Sequence, residues 1–271
     1  MKKTVLALLL VISCIFAGCG KATETDEKSN KKNITSKTSS VETVKEYDWQ
    51  SNSENYKLIA FTFDDAPSYP SKGSNPTTYI IQTLNRFEGA GTLFVIGRNL
   101  DKNGALLLKY AVRNGFELAN HSYSHEHMGS WNEAQIRSDI ERNTNLIKSR
   151  VGVKTKYFRP PFFDDCSAMY NVLGALNMPC IKGSKDAALH DGVEEEQYNA
   201  DFIYETCVNG AYDGQIVALH GYNKYTAMAL PKICETLYNE GYRFVTLSQL
   251  FEYKGVSNIP TNRYIYDNTC E

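Results

Sequence analysis

From Lys57 onward the chain repeats one pattern, a short apolar run followed by a longer stretch with helical spacing, and this alternation constrains the fold more than any other feature. Strands are expected over Lys57–Phe63, Thr92–Ile96, Phe116–Asn120, Lys156–Phe158, Cys180–Gly183, Gln215–Leu219 and Arg243–Leu247. Helices are expected over Pro76–Phe87, Ala105–Asn114, Glu133–Arg150, Ser167–Leu176, Ala200–Val208 and Leu230–Asn239. Asn75 before Pro76 reads as a cap, Ser130-x-x-Glu133 as a capping box, and Gly115 and Gly241 as helix stops. Strands separated by whole helices argue for parallel pairing through right-handed crossovers. A closed barrel and an open doubly wound sheet both satisfy the pattern. No Gly-x-Gly-x-x-Gly follows the first strand, which removes the main support for a dinucleotide-binding sheet. An α/β fold built as an irregular (β/α)7-8 barrel is therefore favoured.

The N-terminal part of the chain reads differently. Lys2 and Lys3 precede an apolar run from Val5 to Ala17, too short to span a ~30 Å hydrocarbon core but of signal-peptide length. Phe16-Ala17-Gly18-Cys19 resembles the bacterial lipoprotein box, with cleavage after residue 18 and lipid on Cys19. An ordinary secretory signal with a nearby Cys is the blander alternative. Residues 19–46 turn to Lys, Ser, Thr, Asn and Glu, a composition that cannot bury enough apolar surface to fold, so a tether is expected there. Residues 47–271 are then expected to form the folded domain. The organisation implies export, anchoring to the bacterial cell membrane through lipid, and a partner outside the cytoplasm.

With 29 Lys and Arg against 31 Asp and Glu, the chain has no basic excess for a phosphate backbone, and nucleic acid is not an expected partner. Beyond the signal, Cys166, Cys180, Cys207, Cys234 and Cys270 contain no CxxC pair. Export permits disulfides, Cys166 with Cys180 or Cys207 with Cys234 among them, but buried free thiols fit equally.

Polar residues gather where strands end, which in a parallel β/α fold is the face that carries active sites. Asp64-Asp65 ends the first strand, His121-Ser122-Tyr123-Ser124-His125 follows the third, Arg159-Pro160-Pro161-Phe162 the fourth, and His220 the sixth. Singly each is ordinary: Asp-Asp is more often a turn or cap, a lone strand-end His is normally satisfied by hydrogen bonds, and Arg-Pro-Pro reads as a turn. His121 and His125, four apart, suit two imidazoles on one metal. All four in order, each at a strand end, are not a coincidence of composition.

Over roughly Lys57 to Tyr253 the chain resembles the NodB-type polysaccharide deacetylases, carbohydrate esterase family four, through Thr62-Phe63-Asp64-Asp65, His121-Ser122-x-x-His125, Arg159-Pro160-Pro161 and the strand-end His220. The resemblance implies an irregular (β/α) barrel, a divalent metal, commonly Zn2+ with Co2+, Ni2+ or Mn2+ as alternatives, and a polysaccharide substrate. That substrate is peptidoglycan, a chitin-like glycan or acetylxylan. It further implies that Asp65, His121 and His125 bind the metal, that Asp64 is the general base, and that Arg159 pairs with Asp64 and aims it. The Phe162 N–H, beside Pro161, would hold the oxyanion, and His220 would protonate the leaving group.

The chain departs from that family's pattern around acyl and sugar recognition. Phe163 stands where Gly is usual, followed by Asp164 and Asp165; Ala218 replaces a Leu, Ala66 replaces a Gly, and Tyr69–Asn75 is an extended loop. The fourth motif is reduced to Gly183-Ser184-Lys185-Asp186-Ala187, without its Trp, leaving Asp186 as the candidate to orient His220. His127 and His190 read as solvated loop residues, and Trp131 as packing on the next helix. The resemblance implies N-deacetylation of N-acetylglucosamine units and leaves open an acetylxylan O-esterase and a catalytically silent tethered glycan binder. A non-haem iron oxygenase shares the two-His, one-carboxylate set but leaves Asp64, Arg159 and His220 unexplained.

Overall fold

The structure, a computed structural model, describes residues 46–68, 75–184, 191 and 198–270. The signal, Cys19, the tether, most of the Tyr69–Asn75 loop, Asp186 and His190 lie outside them.

The first strand, β1 (Lys57–Ala66), is the centre of the fold. It pairs in parallel with β2 (Thr92–Val95) on one side and β5 (Gln215–His220) on the other, and its first residues also pair with β6 (Tyr242–Phe244). Next to β2 lies β3 (Glu117–Asn120), while β4 (Cys180–Ile181) pairs with β7 (Tyr264–Ile265) near the C-terminus. Single backbone links close the ring. Phe158 bridges Asn120 on β3 and Cys180 on β4, and the Ser184 N–H donates to Ile216 O on β5 at 2.8 Å. All the strand pairs are parallel, as the strand-helix alternation requires.

The helices α1 (Pro76–Arg86), α2 (Lys102–Arg113), α3 (Glu133–Val151), α4 (Ser167–Leu176), α5 (Ala200–Asn209), α6 (Lys224–Asn239) and α7 (Leu247–Tyr253) surround this ring. Both faces of β1 are covered, which is why it reads as a continuous apolar run. Ile59, Phe61 and Phe63 pack outward with Ile80, Leu84, Leu108, Leu230 and Ile233 of the helices. Leu58 and Ala60 face the barrel interior with Phe94, Ala119, Tyr157, Ile181 and Ile216. Alternate residues therefore divide between two cores.

Several element boundaries differ from those expected. Lys156–Phe158 contributes only the Phe158 bridges, because Pro160 and Pro161 follow at once and lack the N–H donors a ladder needs. The last expected strand stops at Phe244, since Thr246 caps α7: its side chain accepts from Gln249 N while Gln249 Oε1 accepts from Thr246 N. Helix α2 starts earlier, capped by Asp101, and α6 starts at Lys224, capped by Asn223, and runs through Pro231. Helix α3 is boxed by Asn132 and Gln135 rather than by Ser130 and Glu133. The two-residue β7 and a 3-10 segment at Asp48–Asn55 were too short to leave a periodic signal. All five described cysteines are free thiols, four of them buried.

Candidate active site

The interior face of each strand becomes polar at its C-terminal end. Continuing the inward alternation Leu58, Ala60, Thr62 leads to Asp64; Ile216, Ala218 leads to His220; Ala119 leads to His121; and Tyr157 leads to Arg159. Asp64 and His220 are paired across β1 and β5, so their shared position follows from strand register. Each side chain is held over a packed apolar interior by an element anchored elsewhere.

Arg159 is fully buried. Its Nη1 donates to Asp64 Oδ1 at 2.6 Å, its Nε donates to Ile181 O at 2.9 Å, and its guanidinium lies 4.1 Å from the centroid of the Phe94 ring. Oδ1 of Asp64 is thus occupied, and Oδ2 points toward His121 Nε2 at 4.0 Å. The backbone then leaves the strand conformation: Asp65 has φ of 64° and turns its carboxylate to the two imidazoles. Asp65 Oδ1 lies 3.4 Å from His121 Nε2 and 3.1 Å from His125 Nε2, and one ligand atom from each residue falls within 4.8 Å of the others.

The tautomer of His121 follows from its partner. Nδ1 lies 2.7 Å from Arg159 O, a carbonyl that can only accept, so Nδ1 donates and Nε2 presents a lone pair to Asp65. Asp65 Oδ1 is correspondingly buried without a hydrogen bond among the described residues. The His121 lone pair and the His125 ring nitrogen, converging on a buried carboxylate oxygen that has no hydrogen bond among the described residues, fit a divalent cation held by one oxygen and two nitrogens.

The loop carrying these histidines is shaped by α3. Asp139 accepts from Tyr123 N at 2.7 Å and Ser124 N at 3.0 Å, while the buried Asn143 Nδ2 donates to Val95 O, Asn120 Oδ1 and Ser122 O. Ser122 and His125 both take positive φ, and Ser122 Oγ accepts from His125 N at 2.8 Å. Strained backbone of this kind persists only where its surroundings over-determine it.

His220 is oriented by a residue that the sequence did not single out. Its Nδ1 meets Asp191 Oδ1 at 2.6 Å, its N–H donates to Asp191 Oδ2 at 2.7 Å, and Thr226 Oγ1 donates to Oδ2 at 2.6 Å. Asn223 Nδ2 donates to the Asp191 carbonyl. Asp191 is fully buried. Burial of His220 works against its charge, but the Asp191 hydrogen bond and carboxylate, with Asp64 and Asp65 behind, push its pKa up to about 9. Below that value the ring is an imidazolium with Nε2 left to donate. The raised pKa means that the charged pair stabilises the fold fully below about 6.5 and loses that contribution as the pH rises through about 9. Asp191→Asn is expected to move the alkaline limb of the rate profile down by about one to two pH units, since an adjacent opposite charge is worth that much. Comparing the two profiles cancels effects common to both proteins, and an unmoved limb would remove Asp191 from this role.

Pro161 begins a single 3-10 turn in which Phe162 has φ of 58° and Phe163 φ of 53°. Phe163 therefore takes a left-handed conformation where a glycine was expected, and Tyr264 Oη secures it by donating to Phe163 O at 2.8 Å. The Phe162 ring lies 4.8 Å from His125 and stacks on His127 at 4.2 Å with planes 17° apart. His127 is solvated as expected, yet it pairs with Asp164 at 3.3 Å. Trp131 packs partly buried on the cluster of Ile136 and Ile140.

Comparison with known proteins agrees with this geometry. The family profile "Polysaccharide deacetylase" matches residues 51–181. A bifunctional xylanase/deacetylase of Pseudobutyrivibrio xylanivorans is 39% identical over 76% of this chain and 32% of its own length. The peptidoglycan-N-acetylglucosamine deacetylase PgdA of Listeria monocytogenes is 29% identical over 72% of this chain and 39% of its own. The chain thus spans about a third to two fifths of these curated relatives. Among solved structures, the Xyl-CE4 domain of a multidomain xylanase from the hindgut metagenome of Trinervitermes trinervoides superposes with a TM-score of 0.71 at 36% identity, covering 80% of this chain and all of that one. The barrel, the ordered strand-end residues and these likenesses agree, and the chain belongs to the polysaccharide deacetylase family, carbohydrate esterase family 4.

Proposed function

We propose that this protein is a metal-dependent hydrolase that removes acetyl groups from a polysaccharide, N-deacetylating N-acetylglucosamine units. One observation carries the reaction: a base, Asp64, and an acid, His220, stand in register on adjacent strands beside the corner formed by Asp65, His121 and His125. Asp65, His121 and His125 would hold a divalent metal, Zn2+ by donor type, whose charge would polarise the acetyl carbonyl and acidify the attacking water. Asp64 accepts the water proton on Oδ2, because Arg159 occupies Oδ1. Arg159 fixes the direction of that carboxylate. The Phe162 N–H receives the negative charge that develops on the carbonyl oxygen. His220 donates from Nε2 to the departing nitrogen while Asp191 holds Nδ1. The bond between acetyl carbon and sugar nitrogen breaks, giving acetate and an amine.

The imidazolium favours the amide reading, since an amine leaves poorly without a proton. A second reading, acetylxylan O-esterase, is favoured by the xylanase-linked relatives at 39% and 36% identity. Export, a lipid on Cys19 and the tether of residues 19–46 are part of the same proposal and would hold the domain on the extracytoplasmic face of the membrane, near an envelope or wall glycan. Acetate release from N-acetylglucosamine oligomers and from acetylxylan, measured after chelation and after restoring zinc, tests it. Zinc-restored release from the first substrate is expected; release from acetylxylan alone would select the esterase. No release from either, with zinc bound, would leave a silent glycan binder.

A further inference from the structure

The reading of a glycan substrate leaves one feature of the site mouth unused. His125, Phe162 and His127 form a row of three rings running outward from a metal-corner residue, with spacings of 4.8 Å and 4.2 Å. The planes of the outer pair are nearly parallel, 17° apart. Neither outer ring is there to fill a core: Phe162 is 56% exposed and the His127 side chain 71%. Solvated aromatic rings normally gain little from being held still, yet this pair is fixed from both ends. Phe162 sits in the left-handed turn after Pro161, and His127 is tied through Nδ1 to Asp164 Oδ2.

Asp164 is itself built in. Its Oδ2 accepts from Gly129 N at 2.9 Å, and a Cβ on Gly129 would lie 2.5 Å from Oδ1, so the glycine leaves room for the carboxylate to lie against the backbone. Nδ1 of His127 is turned toward Asp164, and the side chain is otherwise largely exposed. The row therefore offers a flat face for an apolar ring surface and, beside it, a polar nitrogen and a carboxylate edge. That combination suits a pyranose, whose axial C–H groups make one face apolar while its hydroxyls project at the rim.

We infer that His127, stacked on Phe162 and braced by Asp164, is a sugar-binding platform that holds the pyranose unit next to the acetylated one. This rests on the glycan reading above and deepens it: affinity for a chain, rather than for a lone acetyl group, comes from the ring stack. His127 is a binding residue in this account and takes no part in proton transfer.

The test separates the platform from a loop that is merely pinned. In an Asp64→Asn background, which removes turnover, calorimetry measures binding of N-acetylchitotetraose and of acetylated xylotetraose. Adding His127→Ala is expected to weaken binding of the preferred tetramer about ten-fold, the scale of one aromatic contact. His127→Phe keeps a flat ring and discards the tie to Asp164, so it should restore most of the affinity. If His127→Phe binds as weakly as His127→Ala, the tie matters and the platform does not. Unchanged binding in His127→Ala would equally overturn it, as would a failure of both tetramers to bind the Asp64→Asn protein. If the tetramers bind as expected while wild type releases no acetate, the platform stands and the proposed reaction fails. Circular dichroism and metal content of each variant verify that the fold and the neighbouring His125 are intact.

Discussion

Asp64→Asn should lower acetate release about a hundred- to ten-thousand-fold, the range that removal of a positioned general base costs. The substitution keeps side-chain volume and an oxygen for Arg159 Nη1, so the geometry of the pair can survive while the proton acceptor is lost. Stability is expected to fall as well. Arg159 is fully buried, and taking away the charge of its partner leaves an uncompensated cation, a change that costs about 3–5 kcal/mol in buried pairs. The two effects can be separated. A double variant, Asp64→Asn with Arg159→Met, removes the buried charge from both sides and should recover much of the stability measured by urea unfolding, while acetate release stays at the level of Asp64→Asn. If Asp64→Asn retained activity within about ten-fold of wild type on a true substrate, the base would have to be another group, and the assignment of Oδ2 as the proton acceptor would be wrong.

The same alternation that made the fold legible also made most of the site legible. Leu58-x-Ala60-x-Thr62-x-Asp64 and Ile216-x-Ala218-x-His220 are inward-facing series whose last members are polar; singly such an end is ordinary, and it is the recurrence of polar ends in order at one face that pointed to a site. His121 and Arg159 obey the same rule. Asp191 did not, because its contacts to His220, Thr226 and Asn223 come from elements distant in sequence. Family spacing pointed to Asp186 instead, which lies outside the described residues. His127 is solvated as expected, but its stacking was not legible. Its ring partner, Phe162, depends on a positive φ in a non-glycine residue, which no periodicity announces. Fold errors were likewise local: prolines cut the fourth strand to a single bridge residue, caps at Asp101 and Asn223 moved helix starts by several residues, and the cap at Thr246 opened a helix where the last strand was expected to continue.

Asp65→Asn should abolish metal-dependent activity without unfolding the protein. Asp65 has φ of 64°, a region in which Asn is tolerated better than most residues, so the variant removes charge and one good donor oxygen with little added backbone strain. Two neutral imidazoles alone make a poor divalent site, and affinity for zinc is expected to fall on the order of a hundred-fold or more, beyond the loss typical of disturbing an outer partner. The protein should nevertheless fold, because the ligand loop is shaped without the metal. His121 N donates to Val95 O at 3.0 Å, Ser122 N to Asn120 Oδ1 at 2.8 Å, and Asp139 and Asn143 of α3 hold the residues between the two histidines. A small metal-dependent finger, by contrast, is unfolded when its zinc is removed. Wild type treated with chelator should therefore keep its circular dichroism spectrum and lose only the stabilisation that ligand binding adds by mass action. Adding zinc should restore its acetate release in full and leave Asp65→Asn inactive at the same concentration. Collapse of the chelated wild type would show that the metal organises the loop, and the preformed corner assigned to Asp65, His121 and His125 would have to be abandoned.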